Sequence, residues 1–380
     1  MAIGKSTLEN MVTAQDVIQN DLRYISEKLK DEFTHLSGKQ ILITGGGGFL
    51  GYYLIQSLLY RNMTVPDEER THITVYDNFI RGMPDWILKI KDDKSLYLIK
   101  HDITQPLPDD AGTFDYIIHA ASIASPMYYR KYPIETMDAN VNGLRYLLDY
   151  SVHLKERGQP VKGFLFYSTS EIYGDPTPEN IPTPETYRGN VSCTGPRACY
   201  DESKRYGETL CVNFANQYDL PITIARPFNN YGPGLKITDK RVIPDFVSNI
   251  LNNQDIVMYS DGSPTRTFCY IADAIVGYYK ILVNGSKGEP YNIGVSSPEI
   301  SIRELAEKLV AIAREITGYT GSVQFMKSTD VHYLTDNPNR RCPDISKVVN
   351  DLGFNPEIDV DDGLRRSLIW YTGNMEAIEA

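Results

Sequence analysis

Between the apolar run Ile41-Leu42-Ile43 and an amphipathic stretch beginning at Tyr53 lies Gly45-Gly46-Gly47-Gly48-Phe49-Leu50-Gly51. Lys39 to Thr44 reads as a short buried strand, and Tyr53, Leu54, Ile55, Leu58 and Leu59 recur at helical spacing. Few folds pass from strand to helix through so much glycine. Gly45 permits a tight turn, Gly48 lets the backbone approach a pyrophosphate, and Gly51 lets helix pack closely on strand, with phosphates facing the helix N-terminus. The spacing predicts a dinucleotide cradle, with Phe49 and Leu50 inside it. A second strand is expected from His72 to Tyr76, ending at Asp77-Asn78. A carboxylate there bonds ribose hydroxyls and repels a 2′-phosphate, so NAD is expected over NADP, with Arg81 nearby working against that preference. The polar stretch Val65 to Thr71 lengthens the gap between glycines and Asp77.

Further along, Gly195-Pro196-Arg197-Ala198-Cys199-Tyr200-Asp201-Glu202-Ser203-Lys204 puts a lysine one helical turn after a tyrosine. Side chains four apart share a helix face. An ammonium beside a phenol favours the phenolate, and lowering a pKa of about 10 by about three units takes on the order of 4 kcal/mol. Alone, such a pair also arises on exposed helices without meaning.

The glycine turn and the Tyr-x-x-x-Lys turn together resemble the extended short-chain dehydrogenase/reductase superfamily, from about Lys39 almost to the C-terminus. In that resemblance Asp102-Ile103 stands as the adenine contact, His119-Ala120-Ala121-Ser122 as the stretch beneath the cofactor, and Ala225 to Pro233, with Asn229, as the hinge into the substrate domain. His119 itself is expected to be a satisfied core histidine. The resemblance implies an α/β fold, a Rossmann-type doubly wound parallel sheet with a smaller C-terminal α/β substrate lobe. The expected division is a helical N-terminal extension (1–38), an NAD-binding domain (39–234) and a mainly nucleotide-sugar-binding lobe (235–380) interleaved with it. Helices are expected around Pro244 to Asn253, from Ile302 to Thr317 and from Val360 to Tyr371, and a strand near Ile256 to Tyr259.

Ser168-Thr169-Ser170-Glu171-Ile172-Tyr173-Gly174-Asp175 follows the apolar run Phe164 to Tyr167, at a strand end where α/β enzymes place their sites. Thr169 completes the resemblance's Ser/Thr-Tyr-Lys triad. In the 4,6-dehydratases of the superfamily an Asp-Glu pair stands here, the Asp acting as acid for the leaving hydroxyl. Ser170 occupies that position and is a poor general acid. Thr-Ser-Glu with Gly-Pro-Arg-Ala-Cys-Tyr-Asp-Glu is similar to the UDP-glucuronate decarboxylase (UDP-xylose synthase) branch. Oxidising C4 of a glucuronate creates a β-keto acid, which loses carbon dioxide without a strong acid. The resemblance assigns Ser170 beside the carboxylate, Tyr200 to the enolate oxygen, Glu171 to reprotonation at C5, Arg341 to the carboxylate, and Arg241 and Arg266 to the nucleotide diphosphate. Departures are the segment Ser122 to Tyr129, Ser203 beside the lysine, and the long extension. A 4-epimerase, a 4,6-dehydratase and a decayed cofactor-binding scaffold remain as alternatives; intact Thr169, Tyr200 and Lys204 speak against the scaffold.

A net charge of −11 with no basic cluster argues against nucleic acid or an anionic membrane as partner. Cys193, Cys199, Cys211, Cys269 and Cys342, with six histidines, lack metal-ligand spacing, so no metal and a cytoplasmic setting are expected. No apolar signal core or membrane-length run is read. Before residue 39, Val17, Ile18, Leu22, Ile25, Leu29, Phe33 and Leu36 predict one or two amphipathic helices that pack across the domain or on a second subunit. Tyr206, Leu210, Val212 and Phe214 suggest apolar surface for a homodimer.

Overall fold

The computed structural model describes residues 12–108, 110–326 and 338–374. Six parallel strands, β1 (Gln40–Thr44), β2 (His72–Asp77), β3 (Leu96–Lys100), β4 (Tyr116–His119), β5 (Gly163–Tyr167) and β6 (Ile222–Pro227), are joined by a seventh, Pro290–Ile293. Across the sheet the order is Pro290–Ile293, β6, β5, β4, β1, β2, β3. This is the expected Rossmann-type doubly wound sheet. β4 and β5 are buried along their whole length, as strands covered by helices on both faces must be. The chain order reverses between β1 and β4, and there the carboxyl ends of the strands open a crevice. Register aligns Thr44 with both Tyr76 and His119, so Gly45, Asp77 and Ala120 emerge along one edge.

The N-terminal extension forms α1 (Ala14–Lys28) and α2 (Lys30–His35). α1 starts in a capping box: Asp16 N–H donates to Thr13 Oγ1 (3.2 Å) while Thr13 N–H donates to Asp16 Oδ2 (2.8 Å). All seven apolar positions read from the period of the extension are buried. They pack within this chain, α1 lying against α3 (Phe49–Asn62) and the helices Ile271–Asn284 and Val360–Thr372. Asp21 is fully buried there and accepts from Tyr53 Oη (2.5 Å), Tyr270 Oη (2.7 Å) and Arg366 Nη1 (2.7 Å). Three donors offset the desolvation of one carboxylate.

In the C-terminal half, Ile302–Thr317 matches expectation, between a Ser301–Glu304 capping box and left-handed Gly318. Val360–Thr372 runs one residue longer than expected. The helix expected from Pro244 begins at Val242, because proline is accepted within a first turn. Ile256–Met258 pairs with Val323–Phe325. Phe214, expected on spare surface, is instead core; Tyr206 on the same helix, Ala198–Tyr218, is exposed.

Candidate active site

The glycine turn leaves no room for side chains where the chain passes closest to itself. A Cβ on Gly45, whose φ is +72°, would lie 2.5 Å from Ala121 Cα, and one on Gly51 would lie 2.0 Å from the Gly46 carbonyl oxygen. Gly48 is the N-cap of α3 and offers no capping side chain, so the first helical amides face outward. Asp77 accepts from Gly47 N–H (2.9 Å, Oδ2) and Phe79 N–H (2.7 Å, Oδ1), which ties the turn to the end of β2 while each oxygen keeps a lone pair.

One cavity of about 1490 Å³ extends from this turn. Every candidate residue lines it except Gly51, which serves packing of α3 on the turn. Asp102 turns one oxygen back onto Thr104 N–H (3.0 Å), and Ile103 is buried beneath Gly143. Asn229 holds φ +44° and donates to the Thr267 carbonyl (2.9 Å). The Ser122 and Ser168 hydroxyls on the wall are buried with no protein partner among the described residues. A cradle that any Cβ would fill, uncapped helix amides, a carboxylate at Asp77 and orphaned hydroxyls together fit NAD. His119 is buried as expected, but only Nδ1 is bonded, to Thr44 Oγ1 (2.8 Å); Nε2 has no protein partner among the described residues.

Thr169 follows β5 and caps a short turn, accepting from Glu171 N–H (3.2 Å), and it lines the same cavity as the Tyr200 phenol, whose proton affinity it lowers. Lys204, buried, donates to the Tyr167 carbonyl (2.7 Å) and lies 6.0 Å from the Tyr200 ring centroid. Burial pulls the Lys204 ammonium down to about 7. The Tyr200 phenol is not lowered as its spacing suggests: burial pushes it up to about 12 against the Thr169 hydroxyl and the more distant Arg241 charge. The lysine faces the β5 carbonyl, and desolvation penalises the phenolate more than that offset charge favours it. Tyr129 stacks on Tyr200, centroids 5.1 Å apart and planes at 9°, with its buried hydroxyl lacking a protein partner among the described residues.

Glu171 carries the other half of the site. Arg341 grips it bidentately (Nη1–Oε1 2.6 Å, Nη2–Oε2 2.6 Å) and Arg197 Nη2 donates to Oε2. Burial by itself would raise this carboxyl, but Arg341 and then Arg197 outweigh it and hold it at about 2. Arg266, expected at a diphosphate, stands in the same cluster; it donates to the Thr265, Asn339 and Pro338 carbonyls, and burial and then Arg341 pull it down to about 9. Three guanidiniums thus surround one carboxylate. Arg197 and Tyr129 have no assigned role in the sequence reading. Arg197 had a usable signal, sitting one turn before Tyr200; Tyr129 had none, because its contact is made across the fold.

A Rossmann sheet whose glycine turn, Tyr-x-x-x-Lys helix and β5-end threonine share one cavity defines a dinucleotide-binding enzyme of the extended short-chain dehydrogenase/reductase type. The chain belongs to the NAD dependent epimerase/dehydratase family, which it matches over residues 41–294. It is 35% identical over 328 residues to UDP-glucuronic acid decarboxylase 5 of Arabidopsis thaliana, covering 86% of this chain and 88% of that protein. With UDP-glucuronic acid decarboxylase 1 of Xenopus tropicalis it shares 33% identity over 93% of this chain and 75% of the relative. Among solved structures, the dTDP-glucose 4,6-dehydratase of Streptomyces venezuelae, crystallised with NAD, superposes with a TM-score of 0.75 at 26% identity, covering 89% and 98% of the two chains. An epimerase of Methanothermobacter thermautotrophicus gives 0.77 at 27% identity over 93% and 98%.

Proposed function

We propose that this protein decarboxylates UDP-glucuronate in a redox-neutral cycle. The carrying observation is the cluster of buried guanidiniums on the cavity wall, Arg197 and Arg341 on Glu171 with Arg266 beside them, close to the catalytic tyrosine, where planar forks suited to a substrate carboxylate converge. The names of its relatives support the substrate.

NAD, when bound, supplies a hydride acceptor for C4, returns the hydride later, and brings a positively charged ring. Gly45, Gly48, Phe49 and Leu50 would hold its pyrophosphate, Asp77 and Asn78 a ribose, Asp102 and Ile103 the adenine, and Ala120 to Ser122 its underside. Thr169 and Tyr200 hold the C4 hydroxyl, and Tyr200 takes its proton, with Lys204 and Arg241 as the protein's positive charges nearby. The resulting β-keto acid expels carbon dioxide once Ser170, Arg197 and Arg341 have oriented the carboxylate. Tyr200, now protonated, donates to the developing enolate oxygen. Glu171 at about 2 remains a carboxylate at any working pH, so the proton arriving at C5 comes from a water that it orients. Arg241, Arg266 and Asn229 serve the nucleotide-sugar. Residues 39–234 carry the cofactor, 235–380 most sugar-nucleotide contacts, and 1–38 brace both.

The same reading makes the protein a cytoplasmic homodimer without nucleic-acid or membrane partners. All five cysteines are free, no helix among the described residues is long and apolar enough to cross a membrane, and helix Ala198–Tyr218 leaves Tyr206 exposed with Leu210 and Val212 only partly covered. The deciding assay is mass spectrometry of purified protein with NAD and UDP-glucuronate, where loss of carbon dioxide is expected. A 4-keto-6-deoxy product from UDP-glucose, with the glucuronate untouched, would overturn the reading.

A further inference from the structure

The segment from Leu235 to Arg241 runs along the cavity wall and binds together parts of the chain remote in sequence. Lys236 Nζ donates to the Arg81 carbonyl (2.9 Å), and Arg81 Nη1 reaches back to Asp239 Oδ1 (3.4 Å). The other oxygen, Oδ2, lies 3.2 Å from Arg241 Nε, and the Asp239 carbonyl accepts from Ser125 Oγ (2.9 Å). Asp239 is 3% exposed, whereas the side chains of Arg81 and Arg241 are 40% and 35% exposed, and both line the cavity. One buried carboxylate is therefore shared by two guanidiniums of different origin. Arg81 belongs to the loop that follows Asp77 and lies over the Tyr128 ring, 4.8 Å from its centroid. Arg241 comes from the opposite, substrate side, and with Nε at Asp239 its Nη groups find no hydrogen-bond acceptor in the protein among the described residues.

We propose that Asp239 is a positioning residue that couples the two ligands of the cavity. A carboxylate buried between two cations keeps both in place, since losing either partner leaves a desolvated charge poorly matched. A ligand that orders the loop carrying Arg81 fixes Asp239. Asp239 then presets the Arg241 fork for a diphosphate, so the second ligand has less side-chain freedom left to remove. By linkage the effect is reciprocal, and a nucleoside diphosphate tightens the dinucleotide by the same factor. The inference rests on the proposed nucleotide-sugar site but not on the reaction carried out there.

The test is calorimetric titration of UDP into the full-length protein with and without saturating NAD. In the wild type NAD is expected to lower the UDP dissociation constant about tenfold, inside the roughly 5–150-fold range of site couplings. Asp239→Asn should bring that ratio close to one. Arg81→Met cuts the same link from the loop side and should also abolish the ratio while keeping UDP affinity without NAD within about twofold of wild type; it decides the matter should Asp239→Asn not fold. A ratio near one in the wild type, or an undiminished ratio in Arg81→Met, overturns the coupling. UDP that couples to NAD in a protein that leaves UDP-glucuronate intact would sink the decarboxylase reading alone, and no UDP binding to the wild type would overturn both.

Discussion

Tyr200 and Glu171 stand on one cavity wall and burial raises both, yet they end at opposite extremes, about 12 and about 2. Near Glu171 two guanidiniums make direct contact; near Tyr200 the lysine points at a backbone carbonyl. Contact distance decides the sign. Tyr200→Phe, which keeps the ring stacked on Tyr129 but has no proton to exchange, is expected to lower kcat by about 10²–10⁴ while NAD and UDP still bind. Single-turnover kinetics beside calorimetry would show it, and a Phe variant retaining more than about a tenth of wild-type activity would remove Tyr200 from the acid/base role. For Glu171 the folded pKa is depressed below the ordinary glutamate value of 4.5, so its contribution to stability is complete above that pH and is lost as pH falls through about 2. The stability gap between wild type and Glu171→Gln should accordingly be widest near neutrality and narrow below pH 4.5, as read from urea unfolding at several pH values. A gap independent of pH would mean that Arg341 and Arg197 do not hold this carboxyl down.

At the scale of elements, α1 and α2 act as structural parts of the domain. Phe33 is buried edge-on against Tyr279, 5.6 Å between centroids, and Asp21 bonds three elements at once. Phe33→Ala should cost about 3–5 kcal/mol of stability by leaving a cavity, with kcat of the folded enzyme unchanged; thermal and denaturant unfolding measure it, and a loss under about 1 kcal/mol would mean that α2 is peripheral. The first turn of α3 gives the contrasting case. Gly51→Ala forces a Cβ to within 2.0 Å of the Gly46 oxygen, so the turn must move and NAD affinity should fall by at least about tenfold, given how tightly packed backbone resists displacement. Equal NAD affinity in equilibrium titration would refute the packing argument.

For the molecule as a whole, the charge of −11 keeps the surface repulsive to anions, while the charge that matters is internal, carried by Arg197, Arg266, Arg341 and Arg241 along one cavity. The exposed Tyr206 and Tyr218 on helix Ala198–Tyr218 are the surface on which the homodimer proposal depends. Sedimentation at micromolar concentration should give a dimer, and Tyr206→Glu should shift it toward monomer; a monomeric wild type would overturn the assembly.

Local chemistry was readable before folding. The glycine spacing, the helical period of Val17 to Leu36, the alternation of strands with helices and the Tyr200–Lys204 turn depend on neighbours within a few residues, and the family resemblance those motifs carry implied the parallel sheet and most residues on the cavity wall. Pairings across the fold were not readable. Glu171 meets Arg341, 170 residues away, and Asp239 meets Arg81, 158 residues away, because the reversal of strand order at β1 and β4 brings their loops to one edge. Phe214 went inward for the same reason, its helix face being settled by what the sheet places opposite. Sequence determines which groups can exchange protons or grip phosphate; only the tertiary structure decides which of them touch, and in a desolvated site contact sets both charge state and role.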